Sequence, residues 1–177
     1  MIYFVRHGQT DWNKAGRIQG HTNTELNDEG RKQAQIVKEK LNGIKFDKVF
    51  ASPLKRAKET AQIISEQEIV FDDRLKERCN GELEGKIKTE IKVFPDFNNP
   101  NETRFGIEPL NNFNNRIKSF LDEITKEYKD KNVLVVTHGG VCIYVRCYFE
   151  GESNGNIYET YKLNNCEVLS YDNKKEY

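Results

Sequence analysis

A chain of 177 residues is the size of one domain, able to bury roughly 70% of its unfolded surface. Lysine plus arginine and aspartate plus glutamate both number 28, so the formal charge is zero and no global basic field marks a nucleic-acid binder. No apolar run reaches the length of a membrane span, and Met1-Ile2-Tyr3-Phe4-Val5-Arg6 lacks the basic flank and apolar core of a signal peptide, so a cytoplasmic location is the expectation.

The apolar run Ile2-Tyr3-Phe4-Val5 predicts a strand over 2–6 that ends in Arg6-His7-Gly8. A cation, an imidazole and a glycine at the carboxyl end of an early strand are the parts of an anion site around a reactive histidine. Alone, the same tripeptide also suits a hydrogen-bonded scaffold. The stretch Gln9-Thr10-Asp11-Trp12-Asn13, continued by Gly16-Arg17-Ile18-Gln19-Gly20, has no apolar periodicity and reads as a polar loop lining a pocket. His21 reads as a rim or surface residue. A helix over 28–41 follows, with Ala34, Val37, Lys38 and Leu41 on one mainly apolar face.

Val49-Phe50-Ala51 predicts a second strand, over 48–51, and a helix follows near 54–65. Ser52 suits its N-cap and Pro53 its first position, which puts Arg56 in the first turn at the carboxyl edge of the sheet. Further on, Leu75-Lys76-Glu77-Arg78 precedes Gly81-Glu82-Leu83-Glu84-Gly85. The Pro-, Asn- and Gly-rich segment 94–106 reads as a loop or lid, with Phe97, Arg104 and Phe105 as substrate contacts or, alternatively, with its aromatics packed on the body.

Helical spacing returns in Phe113, Ile117, Phe120, Leu121 and Ile124. Then Val133-Leu134-Val135-Val136 predicts a buried parallel strand over 133–137 that gives way to a helix at His138-Gly139-Gly140. A phosphate there would meet backbone amides, a helix dipole and an imidazole. A strand over 167–171 closes the pattern, and alternating strands and helices predict a largely parallel sheet. Cys79, Cys142, Cys147 and Cys166 show neither Cys-x-x-Cys pairing nor zinc spacing and read as reduced thiols. Two strand-end histidines with two strand-end arginines argue against simple core packing, because buried cations are costly unless an anion neutralises them.

Arg6-His7-Gly8-Gln9-Thr10 with Asn13, Ser52-Pro53-Leu54-Lys55-Arg56-Ala57, Leu75-Lys76-Glu77-Arg78 ahead of Gly81-Glu82-Leu83-Glu84-Gly85, and Thr137-His138-Gly139-Gly140-Val141 together resemble the histidine phosphatase, or phosphoglycerate mutase-like, superfamily. The resemblance covers most of the chain. It implies an α/β fold, a three-layer sandwich with a central mostly parallel sheet flanked by helices, in one domain over 1–177. It also implies a phosphohistidine mechanism that uses neither metal nor cofactor. His7 becomes the nucleophile, Arg6, Arg56 and His138 hold the phosphoryl oxygens, and Asn13 assists. Gln19, Gly20 and Gly139 complete the expected substrate-binding set. For His7 to attack, one ring nitrogen must be unprotonated, so the other should donate to a backbone carbonyl.

Glu77 matches the position of the family's proton donor to the leaving alcohol. Glu82 is the second candidate, in a Gly-acidic-aromatic-Glu-Gly signature whose aromatic place is taken by Leu83, and Glu84 lies close in sequence. Gly106-Ile107-Glu108-Pro109 departs from the family's Gly-Glu-Ser signature, which counts against a pocket role for Glu108. The implied activity is that of an intracellular histidine acid phosphatase-type phosphomonoesterase whose partner is a small-molecule phosphomonoester. A phosphoglycerate mutase is the first alternative, disfavoured because only a short Asn-rich segment stands where mutases carry an insertion. A catalytically silent phospho-ligand binding module is the second, disfavoured because nucleophile, arginines, second histidine and acid are all present.

Overall fold

The computed structural model describes residues 1–96, 99–151 and 157–173, and Phe97 lies outside them. Strands β1 (Ile2–Arg6), β2 (Lys48–Ala51), β3 (Ile69–Phe71), β4 (Val133–Thr137) and β5 (Val168–Tyr171) form one sheet in the order β3-β2-β4-β1-β5. The first four run parallel, and β5 pairs antiparallel with β1. Helices α1 (Asp11–Lys14), α2 (Asp28–Lys40), α3 (Lys55–Ile64), α4 (Leu110–Glu127), α5 (Gly139–Glu150) and α6 (Ile157–Thr160) complete the α/β architecture among the described residues.

Alternation along the strands sorts the core into two layers. Ile2, Phe4, Phe50, Val133 and Val135 pack with Phe113, Ile117, Phe120, Leu121 and Ile124 of α4 and with Val141, Val145 and Phe149 of α5. The intervening residues Val5, Val49, Ala51, Leu134 and Val136 pack on the other face with Ala34 and Val37 of α2 and Ala57, Ala61 and Ile64 of α3. Because helices cover both faces, every residue of β4 is buried, which explains its uninterrupted apolar run. Each fully buried α4 side chain contributes about 1.5–3 kcal/mol of transfer free energy.

Three local expectations change. Helix α3 begins at Lys55, with Leu54 as a cap lacking a side-chain bond, so Ser52 and Pro53 precede the helix rather than starting it. Arg56 nevertheless occupies the first turn. The short strand β3 was not predicted, since three residues at a sheet edge give too little period to read. Inside the predicted polar loop sits the single turn α1, held by a reciprocal capping box between Thr10 and Asn13.

β1 leads to α2 on one face and its neighbour β4 leads to α5 on the other. Connections that diverge from adjacent parallel strands open a crevice at the strands' carboxyl ends. His7 and His138 both lie at that edge. Among the described residues no helix is long and apolar enough to cross a membrane.

Candidate active site

The parallel register sets the two histidines side by side. Arg6 pairs with Thr137, the next amide, that of His7, donates to the Thr137 carbonyl at 2.9 Å, and the ring centroids of His7 and His138 are 5.2 Å apart. His7 Nδ1 lies 2.7 Å from the Gly8 carbonyl oxygen. A carbonyl only accepts, so Nδ1 carries the proton and Nε2 keeps its lone pair. Burial, then the charges of Arg56 and Arg6, hold the His7 pKa well below the usual imidazole value, against the Gly8 hydrogen bond. The result is a neutral imidazole whose tautomer is fixed.

His138 is fully buried at the N-cap of α5. Its Nε2 sits 2.7 Å from Ser52 Oγ, the group freed from helix capping, while Nδ1 is buried without a hydrogen-bond partner. Burial first, then Arg56, His7, Arg116 and Arg6, depress its pKa well below the ordinary value. Ser52 Oγ also accepts the Leu54 amide at 3.3 Å.

Two cations flank the rings. Arg56 is 1% exposed, and its Nη1 and Nη2 donate to the carbonyls of Thr22 at 2.8 Å and Gly20 at 2.7 Å. Burial lowers its pKa to about 10, against attraction from Glu77 and Glu84, so it remains charged at neutral pH. Arg6 Nη1 donates to the Leu163 carbonyl, and burial likewise lowers its pKa. The Nε groups of both arginines are buried without a partner. An unsatisfied buried N–H costs about 1–3 kcal/mol, so the two arginine Nε groups, with His138 Nδ1 also lacking a partner, suit an anion.

Glu77 stands opposite the start of α5. Its Oε1 accepts the Arg78 amide at 2.9 Å and its Oε2 the Gly140 amide at 3.0 Å. A β-carbon at residue 140 would lie 2.4 Å from Glu77 Oε1, so only glycine permits this approach. The Gly140 amide, expected to face a ligand, therefore serves the carboxylate instead. Glu82 is exposed. Glu84 binds the amides of His21, Thr22 and Asn80 at 2.9, 2.8 and 3.0 Å and the Thr22 hydroxyl at 2.6 Å. Burial opposes ionisation there, but these donors outweigh it and hold the carboxyl below its usual pKa. Glu84 thus locks the loop whose carbonyls grip Arg56. Gly20 sits at φ +50°, where a β-carbon is strained and would fall 2.1 Å from Glu84 Oε1 and 3.0 Å from the Asn80 amide nitrogen, so glycine suits the position.

The remaining candidates separate. Asn13 Oδ1 accepts the Thr10 amide at 3.1 Å, and Gln19 Oε1 accepts the hydroxyls of Thr10 at 2.9 Å and Thr24 at 2.5 Å, so both brace the loop beside His7. Gly139 lies against Arg6, with its hypothetical β-carbon 3.4 Å from Nε. Arg104 is paired with the buried Glu102, and Phe105 packs with Ile18, Leu83 and Ile107, which favours the packing alternative for this part of the 94–106 segment.

Several contributors gave no sequence signal. Arg116 donates to the carbonyls of Arg74, Lys76 and Glu77 at 2.7, 2.6 and 2.9 Å and pairs with Glu108 at 2.8 Å. His21 Nε2 reaches the Glu77 carbonyl at 2.8 Å, which places this histidine against the Glu77 backbone. Their spacings of 39 and 56 residues from Glu77 hide both contacts from any local pattern. Among the described residues no three His, Cys, Asp or Glu side chains are grouped as a metal site requires.

This sheet, with histidines at the ends of adjacent strands, is the architecture of phosphoglycerate mutase-like α/β proteins. The chain belongs to the histidine phosphatase superfamily (branch 1), whose profile matches residues 2–176. It is 36% identical over 168 residues to a probable phosphatase of Schizosaccharomyces pombe, covering 92% of this chain and 78% of the relative. It is 39% identical to a metal-independent phosphoserine phosphatase of Arabidopsis thaliana, covering 82% of this chain and 67% of that protein. The phosphoserine phosphatase of Entamoeba histolytica, solved with 3-phosphoglyceric acid, superposes with a TM-score of 0.80 at 26% identity, over 94% of this chain and 87% of that one.

Proposed function

We propose that the protein hydrolyses small phosphomonoesters through a phosphohistidine on His7. The observation that carries this reading is the set of partnerless buried nitrogens, Arg6 Nε, Arg56 Nε and His138 Nδ1, around a histidine whose Nε2 bears a lone pair. Phosphoryl transfer depends on positioning and charge stabilisation, and that is what these groups supply.

In the first half-reaction Nε2 of His7 forms a bond to phosphorus as the ester oxygen leaves with its electron pair. Arg6, Arg56 and His138 hold the equatorial oxygens. In this reading Ser52 Oγ, which accepts the Leu54 amide, donates its O–H as a hydrogen bond to His138 Nε2, so that Nδ1 carries the hydrogen that meets phosphate. Glu77, protonated, delivers its proton to the departing alkoxide. In the second, the Glu77 carboxylate takes a proton from water as the water oxygen attacks phosphorus, releasing phosphate and restoring His7. A neutral His7 well below the usual imidazole pKa supports operation at mildly acidic pH, in keeping with an acid phosphatase type. Relatives named as phosphoserine phosphatases support a small anionic metabolite as substrate.

The test is a panel of phosphoserine, 3-phosphoglycerate and sugar phosphates, with released phosphate measured and phosphoenzyme trapped by quenching. Wild type should release phosphate and label, and His7→Ala should do neither. Isomerisation of 3-phosphoglycerate without free phosphate would overturn the reading in favour of a mutase. Phosphate binding with no turnover of any ester would overturn it in favour of a binding module.

A further inference from the structure

The segment between α6 and β5 passes over the carboxyl end of β1 and touches three residues of the phosphoryl site. The Leu163 carbonyl accepts Arg6 Nη1. Asn165 Nδ2 donates to the His7 carbonyl at 2.9 Å and reaches Asn13 Oδ1 at 3.3 Å. The Cys166 amide donates to the Arg6 carbonyl at 2.9 Å. Cys166 holds φ +57°, in the left-handed region that residues with a β-carbon seldom occupy, and does so where its amide meets β1. Strain of this kind persists only where surrounding contacts enforce it.

We infer that Asn165 is a positioning residue of the phosphoryl site, fixing the amide of Asn13 and the backbone of His7 toward the bound phosphate. The inference rests on the phosphatase reading above. Its core is hydrogen-bond chemistry. Asn13 Oδ1 receives the Thr10 N–H and the Asn165 Nδ2–H, two groups that can only donate to it, so the orientation of the Asn13 amide is set. Its Nδ2 is then the end left to donate to a phosphoryl oxygen. The same Asn165 amide anchors the carbonyl of the nucleophile's own residue, 158 positions away in sequence. One side chain thereby couples an oxygen-holding group to the attacking ring. No motif near His7, Arg56 or His138 contains it.

The experiment compares wild type, Asn165→Ala, Asn165→Asp, Asn13→Ala and the double variant Asn13→Ala/Asn165→Ala. Three readouts are taken: kcat and KM on a small phosphomonoester, the Kd of inorganic phosphate, and the thermal midpoint. Asn165→Ala should lower kcat/KM by about tenfold to a hundredfold, the size expected for misplacement of a positioned group, and should weaken phosphate binding. Asn165→Asp keeps the shape but turns an acceptor toward the His7 carbonyl and Asn13 Oδ1, so it should be at least as impaired. In the Asn13→Ala background the Asn165→Ala effect should shrink to the part carried by the His7 carbonyl, because contacting residues that act together are not additive.

Wild-type kcat/KM in Asn165→Ala, full activity in Asn165→Asp, or simple additivity with Asn13→Ala would overturn the inference. A loss of activity matched by a collapse of the thermal midpoint, with phosphate affinity of the folded fraction unchanged, would also overturn it, by making Asn165 merely structural. A wild type inactive on every ester refutes the phosphatase reading instead. Phosphate affinity then decides for Asn165, and equal affinity in wild type and Asn165→Ala counts against it.

Discussion

Replacement of Glu77 by glutamine separates proton donation from phosphate binding. The carboxylate accepts two backbone amides, those of Arg78 at 2.9 Å and Gly140 at 3.0 Å. A glutamine oxygen replaces only one acceptor, and its NH₂ then faces the other N–H. That leaves one donor unsatisfied, at about 1–3 kcal/mol, within the 5–15 kcal/mol stability of an ordinary domain. The variant should fold and bind phosphate, because Arg6, Arg56 and His138 are untouched. On an alkyl phosphate, whose alkoxide needs a proton, kcat/KM should fall by about 10²–10⁴. That corresponds to roughly 3–5 kcal/mol of barrier. On an aryl phosphate with a stable phenolate, kcat/KM should fall less than about tenfold, since general-acid help scales with the need for a proton. Hydrolysis of the phosphohistidine also loses its base, so a pre-steady-state burst of phenolate should appear. Glu82→Gln, at an exposed position, should behave as wild type. Equal losses on alkyl and aryl esters, or the same selective loss in Glu82→Gln, would refute the assignment of the acid.

Gly20→Ala should destabilise the protein by about 2–5 kcal/mol in chemical denaturation, combining strain at positive φ with overpacking against Glu84. It should also weaken phosphate affinity, since the Gly20 carbonyl holds Arg56 Nη2; an unchanged unfolding midpoint would contradict the loop geometry. His7 and His138 are both held neutral below their unfolded pKa of about 6.5. Below that pH the unfolded chain takes up protons that the folded chain refuses, so stability should fall as pH drops from about 6.5, by up to about 1.4 kcal/mol per pH unit for each histidine, and the term should be flat above it. Denaturation series from pH 5 to 8 on wild type and His138→Asn check this, the variant showing the shallower acid slope.

Legibility in the sequence followed the range of the interaction. Strands β1, β2 and β4 and helices α2 and α4 were readable because burial on one or both faces writes a period or an uninterrupted apolar run into the chain. His7 and His138 were readable because a short motif follows each strand. The carbonyl that fixes the His7 tautomer was expected in kind, and Gly8 supplies it. Ser52 was misread as a helix cap because its local context, followed by proline, suits one; the pull of His138, 86 residues away, decided its role. Arg116, His21 and Asn165 act on backbone carbonyls, and a carbonyl carries no residue identity that a sequence pattern could match.

The same contrast explains how a chain of zero net charge keeps two largely buried arginines charged. Arg6 and Arg56 are held by the carbonyls of Leu163, Gly20 and Thr22, partial negative charges that bind the terminal nitrogens without neutralising the guanidinium. A carboxylate in those places would have paired the charge. Glu84 is instead set one step back, where it binds the amides of the loop rather than the arginine. The carbonyls are therefore held by the fold itself, and on the proposed reading the partnerless Nε groups are donors placed before the anion arrives, the condition under which such donors favour a transition state over water.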